Sequence, residues 1–284
     1  MVALRRPDSN DLLDALATGT ERDMGTYISI DGHPTWVVDR GGTGDPLLLL
    51  HGGLSNSDEL LGSIGPELAS RYRVVAFDRR GHGYTADTDA EFHYADMATE
   101  TIRVLEDVIG GPAHLVGWSD GGIIALLVAL ERPDLVRKLV VVGTNFHYDG
   151  MMPVQMDPES PFARQLAAEY IERSPDGAEH LDLVFAKSLE MFSTEPTLDT
   201  DDIARIERPT LVVVGDDDLV RLDHTCALYE SLPEGQLAVV PGASHVLPVE
   251  QPGELVRLIV RFLGAEGPPP TLMPVRRAAR TVAG

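Results

Sequence analysis

The sequence predicts an α/β fold: a mostly parallel central sheet, helices on both faces and a helical segment inserted late in the chain. Three observations predict it. Apolar runs of strand length recur along the chain, helical patterns separate them, and the alternation lapses once, between about residues 145 and 205. Continuous apolar runs mark strands covered on both faces, as in a parallel sheet. Strands alternating with helices build right-handed crossover units.

The elements follow in chain order. Residues 1–24 read as a loose, partly helical extension. "GTYISIDGHPTWVVDRG" reads as a hairpin turning at Asp31-Gly32. "PLLLLHGG" is the first continuous apolar run, followed by "YRVVAFD" (72–78), "AHLVGWS" (113–119), "RKLVVVG" (137–143), "PTLVVVG" (209–215) and "QLAVVPG" (236–242). Between them lie helical patterns: "YADMATETIRVLEDVIG" (94–110), "GIIALLVALERP", "DHTCALYESLP" and "PGELVRLIVRFLG". Residues 145–205 have helical patterns but no strand and are bounded by two sheet strands. They read as a helical cap over the C-terminal edge of the sheet, where open α/β sheets bind ligands. The core is then 25–144 with 206–264, and 265–284 is a Pro-rich, then basic, mobile tail.

Composition narrows the function. The 284 residues carry 45 acids against 23 bases, a formal net charge of −22. Nucleic acid and anionic membranes need a basic surface, so neither is an expected partner. Cys226 is the sole cysteine, which removes intrachain disulfides and Cys-based zinc clusters. No run approaches the roughly 20 apolar residues of a membrane span. The N-terminus has no apolar run of signal-peptide length, so a cytoplasmic protein is expected. No H-E-x-x-H pair occurs, and "GGTG" lacks the following helix of a dinucleotide site. Neither metal nor organic cofactor is therefore expected.

The chemistry concentrates around "GWSDGG" (117–122). Ser119 stands at the centre of G-x-S-x-G, with a strand before it and a helix after it. A sharp strand-to-helix turn crowds the positions two before and two after its centre, so Gly117 and Gly121 relieve the contact. A nucleophilic serine needs a base, and the base needs an orienting carboxylate. His224 and His245 both follow the insertion. His245 lies just past the last strand, at the sheet edge that carries Ser119, whereas His224 falls in a helix pattern and reads as a surface residue. Asp216, Asp217 and Asp218 follow the preceding strand. Asp218 is favoured as the acid because it lies farthest out on the loop, before the anchoring pair Leu219-Val220; Asp216 is the alternative. An oxyanion hole needs two backbone N–H donors. Asp120 supplies one, and Gly53 in "HGGLSNS" the other, with Leu54 second.

With "HGG", "DRRGHG" (78–83), "GWSDGG", "GDDD" and "GASH" in this order, the sequence resembles the α/β-hydrolase superfamily over about residues 25–264. "GWSDGG" with the later "VVVGTN" looks most like the valacyclovirase (biphenyl hydrolase-like) group. That resemblance implies a Ser-His-Asp serine hydrolase acting on small-molecule esters. In the resembled group the matching aspartate binds a substrate α-amino group, which would carry over to Asp120. Such a role makes Asp120 a pocket residue, since an uncompensated carboxylate beside a forming oxyanion opposes catalysis unless a cationic substrate cancels it. The bland alternative is a carboxylate at a helix start, worth about 0.3–1 kcal/mol. Trp118, Leu54, Met151 and Met152 complete the expected substrate contacts, with Met156, Phe162, Tyr170, Phe185, Met191 and Phe192 forming the cap core or an apolar roof. "DRRGHG" reads as a structural turn. The rival readings on the same triad are a carbon–carbon or lactone hydrolase, a cofactor-free haloperoxidase and an aminopeptidase; a non-catalytic receptor stands further off.

Overall fold

The computed structural model describes residues 25–153 and 159–275, without the side chain of Phe162. The expected extension 1–24, Met156 and the last part of the tail lie outside the described residues.

The eight-stranded sheet has the order β1-β2-β4-β3-β5-β6-β7-β8. β1 (Thr26–Ile30) and β2 (His33–Asp39) form the expected hairpin. Asp31 (φ 47°) and Gly32 (φ 84°) both take positive φ, the twist-matched geometry of a two-residue turn. β2 runs antiparallel to β4 (Arg73–Phe77), and every pairing beyond it is parallel. β3 (Pro46–Leu50), β5 (Ala113–Trp118) and β6 (Val136–Val142) are buried almost throughout, which is why they read as unbroken apolar runs. β7 (Thr210–Asp217) and β8 (Gly235–Ser244) complete the sheet, with a register shift between Gly215 and Asp217.

Helices cover both faces. α1 (Ser57–Ser63) and α2 (Gly65–Ala69) follow β3, a stretch to which the sequence reading assigned no element. Their apolar pattern is short because Gly65-Pro66 breaks it, and the start is set by Asn56, whose side chain caps the Asp58 amide. α3 (Tyr94–Arg103) widens into a π-helical turn, Val104–Ile109, that stops at Gly110 with φ 82°. α4 (Asp120–Glu131) is apolar on nearly all sides because it is buried against β3, β5 and β6. α8 (Leu222–Ser231), α9 (Leu247–Glu250) and α10 (Pro252–Leu263) close the chain order.

The core forms two clusters, one on each side of the sheet. One joins Leu48, Leu50, Leu115 and Val141 to α3 and α4; the other joins Leu47, Leu49, Val116, Trp118 and Val140 to α1, α2 and α10.

Among the described residues, three α-helices stand between β6 and β7: α5 (Pro161–Arg173), α6 (Leu181–Thr194) and α7 (Thr200–Ala204). They are tied to the loops that leave β3 and β4. Asn56 Nδ2 donates to Glu169, and Arg173 pairs with Asp58 at 3.2 Å. Lys187 of α6 is buried and donates to Asp87 Oδ2 (2.8 Å) and the Thr88 carbonyl (2.7 Å). Among the described residues, no helix is long and apolar enough to cross a membrane.

Candidate active site

Ser119 sits between the end of β5 and the start of α4 with φ 53° and ψ −119°. This conformation is sparsely populated for a residue with a side chain and costs on the order of 1–3 kcal/mol. The surroundings enforce it. The Ser119 amide donates to the Val142 carbonyl at 2.8 Å. A β-carbon at Gly117 would collide with the Gly121 carbonyl, and one at Gly121 with the Leu50 carbonyl. The two glycines let the turn close on itself and let β3 run beneath it.

Three side chains from three loops meet at this turn. His245 Nε2 lies 2.9 Å from Ser119 Oγ, and His245 Nδ1 lies 2.8 Å from Asp218 Oδ1. An ionised carboxylate only accepts, so Nδ1 carries the ring proton and Nε2 is left to accept from the serine hydroxyl. Asp218 Oδ1 also accepts from the Val220 amide (2.9 Å), which fixes the acid loop. The Asp218 side chain is 1% exposed and that of His245 15%, so the acid is sheltered while the ring reaches the surface of the site. Asp216 points elsewhere, accepting from the Gly242 amide at 2.7 Å, and Asp217 pairs with Ser244 across β7 and β8.

The Asp120 amide lies at the N-terminus of α4, where the first amides have no intrahelical acceptor. Gly53 packs beside the Asp120 side chain. A β-carbon on Gly53 would approach Asp120 Oδ2 at 2.5 Å and Phe192 Cζ at 2.6 Å. Leu54, the next residue, takes φ 56° and packs on the core from a half-buried position.

Several expected contacts fall in other places. The Asp120 side chain is buried and has partners within the protein. Its Oδ1 accepts from Tyr94 Oη at 2.8 Å, and its Oδ2 lies 4.0 Å from Arg79 Nη2. Burial pushes the Asp120 carboxyl up, and Arg79 and the Tyr94 hydroxyl pull it back. Arg79 thus supplies an opposing charge to Asp120 from within the protein. Trp118 is not a substrate contact. Strand alternation turns it into the cluster under α1 and α10, where its Nε1 donates to the His245 carbonyl at 2.7 Å. Met151 and Met152 run beside the acid loop: Met151 bridges to Val220, and the Met152 amide donates to the Leu219 carbonyl at 2.7 Å. The Met152 side chain is exposed, so it makes no roof. His224 is buried rather than superficial. It stacks on Phe146 with ring centroids 4.0 Å apart and accepts the Phe146 amide at Nε2. Burial lowers it to about 4, so it is neutral at pH 7.

"DRRGHG" does more than turn. Asp78 accepts from the amides of Ser57 (2.7 Å) and Tyr84 (2.8 Å). Arg80 pairs with Glu100. Arg79, fully buried, donates to the carbonyls of His51 (2.6 Å) and Gly52 (2.9 Å). Arg79 and Tyr94 border the candidate site and were missed by sequence reasoning, whereas Phe192, expected in the cap core or roof, stands against Gly53. The one signal for Arg79 was its place directly after a strand, beside an aspartate, in a stretch otherwise rich in glycine.

Comparison with known proteins places the fold. Residues 47–258, most of the chain, match the model of the alpha/beta hydrolase family. The chain belongs to that family. It is 29% identical over 245 residues to serine hydrolase BPHL of Mus musculus, covering 79% of this chain and 81% of that protein. This is the biphenyl hydrolase-like resemblance noted in the sequence. It is 26% identical over 269 residues to a 2-hydroxy-6-oxo-6-(2'-aminophenyl)hexa-2,4-dienoic acid hydrolase of Metapseudomonas resinovorans, covering 84% and 90%. Among solved structures, the fold superposes on a serine hydrolase involved in carbazole degradation (CarC enzyme) with a TM-score of 0.71 and 22% identity, over 85% of this chain and 98% of that one.

Proposed function

We propose that the chain is a serine hydrolase of small-molecule carboxylic esters. One observation carries this reading: His245 bridges Ser119 Oγ and Asp218 Oδ1 in a single hydrogen-bonded line. His245 Nε2 takes the Ser119 proton as Oγ adds to the ester carbonyl. The amides of Gly53 and Asp120 receive the oxygen as it gains charge. Collapse expels the alcohol, which takes the proton back from His245. Water then adds to the acyl-enzyme with His245 again as base, releasing the acid and restoring Ser119. The helices between β6 and β7 act as a cap that closes over the acyl group, with Phe192 against Gly53 as its inner wall.

Asp120 is matched inside the protein by Arg79 and Tyr94. A neutral acyl group is therefore the expected substrate, and an α-amino group brings no advantage. The test is a matched pair of p-nitrophenyl esters, with and without an α-amino group, assayed on wild type, Ser119→Ala and Asp120→Ala. The reading stands if wild type cleaves both with similar kcat/KM and Ser119→Ala is inactive. A strong preference for the amino ester that collapses in Asp120→Ala restores the ammonium-binding role.

The same triad also serves carbon–carbon hydrolysis, and the likeness to the hydrolase of Metapseudomonas resinovorans favours this as the second reading. Turnover of a vinylogous diketone with inert esters selects it.

A further inference from the structure

Arg79 grips the loop that carries one of the two amides assigned to the oxyanion. Its Nη1 donates to the His51 carbonyl at 2.6 Å and its Nη2 to the Gly52 carbonyl at 2.9 Å. The His51 ring closes the arrangement: Nδ1 donates to the same Gly52 carbonyl at 2.7 Å, and Nε2 accepts from the Arg79 backbone amide at 3.3 Å. A trans peptide is planar, with its C=O and N–H pointing to opposite sides. Two donors that fix the Gly52 carbonyl therefore fix the Gly53 N–H on the other side of the plane. The restraint is needed because positions 52 and 53 are both glycine, whose backbone is the least restricted.

The glycines are themselves required. A β-carbon on Gly52 would crowd the Trp118 ring at 3.1 Å, and one on Gly53 would meet Asp120 Oδ2. The loop is thus built from residues that fit but do not hold their own orientation, and a buried side chain from the next strand end holds it for them.

We propose that Arg79 is a positioning residue for oxyanion stabilisation, setting the Gly52–Gly53 peptide plane so that the Gly53 amide stays turned toward the carbonyl oxygen at Ser119. The proposal rests on the reading of Ser119 as nucleophile. Asp120, 4.0 Å from the guanidinium, balances its charge and contributes the second amide from its own backbone. One buried ion pair therefore spans both donors. Hydrogen bonds onto the Gly52 carbonyl also polarise that peptide and strengthen its N–H as a donor.

The competing explanation is that Arg79 only neutralises Asp120. Arg79→Met, Arg79→Lys and the charge-free pair Arg79→Met/Asp120→Asn separate the two. Each is measured for kcat, KM, melting temperature and inhibition by an alkyl boronic acid, whose tetrahedral adduct places an oxygen at the oxyanion position. Arg79→Met is expected to lower kcat by about 100-fold, as loss of one oxyanion donor does. KM should stay within about threefold, because the donor acts on the transition state and not on the bound ester. Boronate affinity should fall in proportion to kcat/KM, and Arg79→Lys, which still reaches one carbonyl, should lie between. The double variant should melt closer to wild type than Arg79→Met does yet remain slow. Recovery of wild-type kcat in the double variant overturns the proposal, as does a folded Arg79→Met or Arg79→Lys enzyme with undiminished kcat and boronate affinity. Fluorophosphonate labelling of wild type reads Ser119 separately. Failure to label removes the hydrolase reading and this proposal with it, whereas labelling with unchanged Arg79 variants removes this proposal alone.

Discussion

Gly143 shows how closely the site is fitted at the scale of single residues. It follows β6 with φ 55°, and a β-carbon there would lie 3.0 Å from His245 Nδ1 and 3.1 Å from Asp218 Oδ2. Gly143→Ala should push the imidazole off its line to Ser119. The expected result is a kcat at least about tenfold lower with little change in KM, since a small misplacement of a reacting group is costly. Steady-state kinetics on a p-nitrophenyl ester checks this, and an unchanged kcat refutes it. Nothing local marks Gly143, because its neighbours come from loops that are distant in sequence. Ser119, His245 and Asp218 were legible for the opposite reason: each follows a strand directly, and the chain order of the three is informative. The choice among three adjacent aspartates rested on loop position, and contacts separate them only in three dimensions. Tyr94 and Arg79 were illegible because a buried hydroxyl and a buried guanidinium read as surface groups until their partners are known.

At the scale of elements, the continuous apolar strands and the hairpin were plain, and the short helices over 57–69 were not. A stretch of seven and then five residues gives too few turns for a periodic signal. The helices between β6 and β7 were visible as an interruption of the strand rhythm, but their attachment was not. That attachment is polar. Asp87 receives Lys187 Nζ at 2.8 Å and His180 Nε2 at 2.9 Å, and its amide donates to Asp176 at 2.7 Å. The Asp87 side chain is 1% exposed and that of Lys187 5%. Lys187→Met removes the lysine charge from the buried Asp87 carboxylate and leaves it the His180 hydrogen bond, which should cost about 3 kcal/mol. Chemical denaturation would show this as a lower midpoint, and a midpoint within error of wild type counts against the pair as the main tie. Replacing both partners with apolar residues should recover part of the loss, because the desolvation of two charges disappears with them.

The whole molecule responds to acid through groups outside the Ser119, His245 and Asp218 line. Burial holds His114 and His224 at about 4 and His82 at about 3, against an ordinary 6.5. Below pH 6.5 the unfolded chain takes up protons that these three refuse, so their contribution to stability is lost as pH falls toward 4. Burial raises Glu59 to about 7 and Asp78 to about 6, with the opposite sign: the native state takes up protons first, and acid stabilises it. The histidine displacements are larger together, so the melting temperature should fall between pH 6.5 and 4.5. The scan belongs in about 0.5 M salt, where repulsion within a chain of formal charge −22 is screened. A flat or rising melting temperature over that interval would show that the carboxyls dominate. The net charge itself was legible from composition. The strand order was not, because parallel neighbours are chosen by crossovers that leave no mark in the strands themselves.

Trp118 has a consequence for how the protein can be watched. The chain has two tryptophans. Trp36 lies in the β1–β2 hairpin against Tyr27 and Tyr84, with ring centroids 5.1 and 5.0 Å away. Trp118 is hydrogen-bonded through its indole to the backbone of His245, its ring 6.0 Å from the imidazole. Its ultraviolet emission is therefore a native optical gauge of the histidine loop. If His245 takes the Ser119 proton as proposed, the imidazolium that forms beside this indole should dim its emission, so the proposed reaction could be followed in the light the protein already emits, without any label.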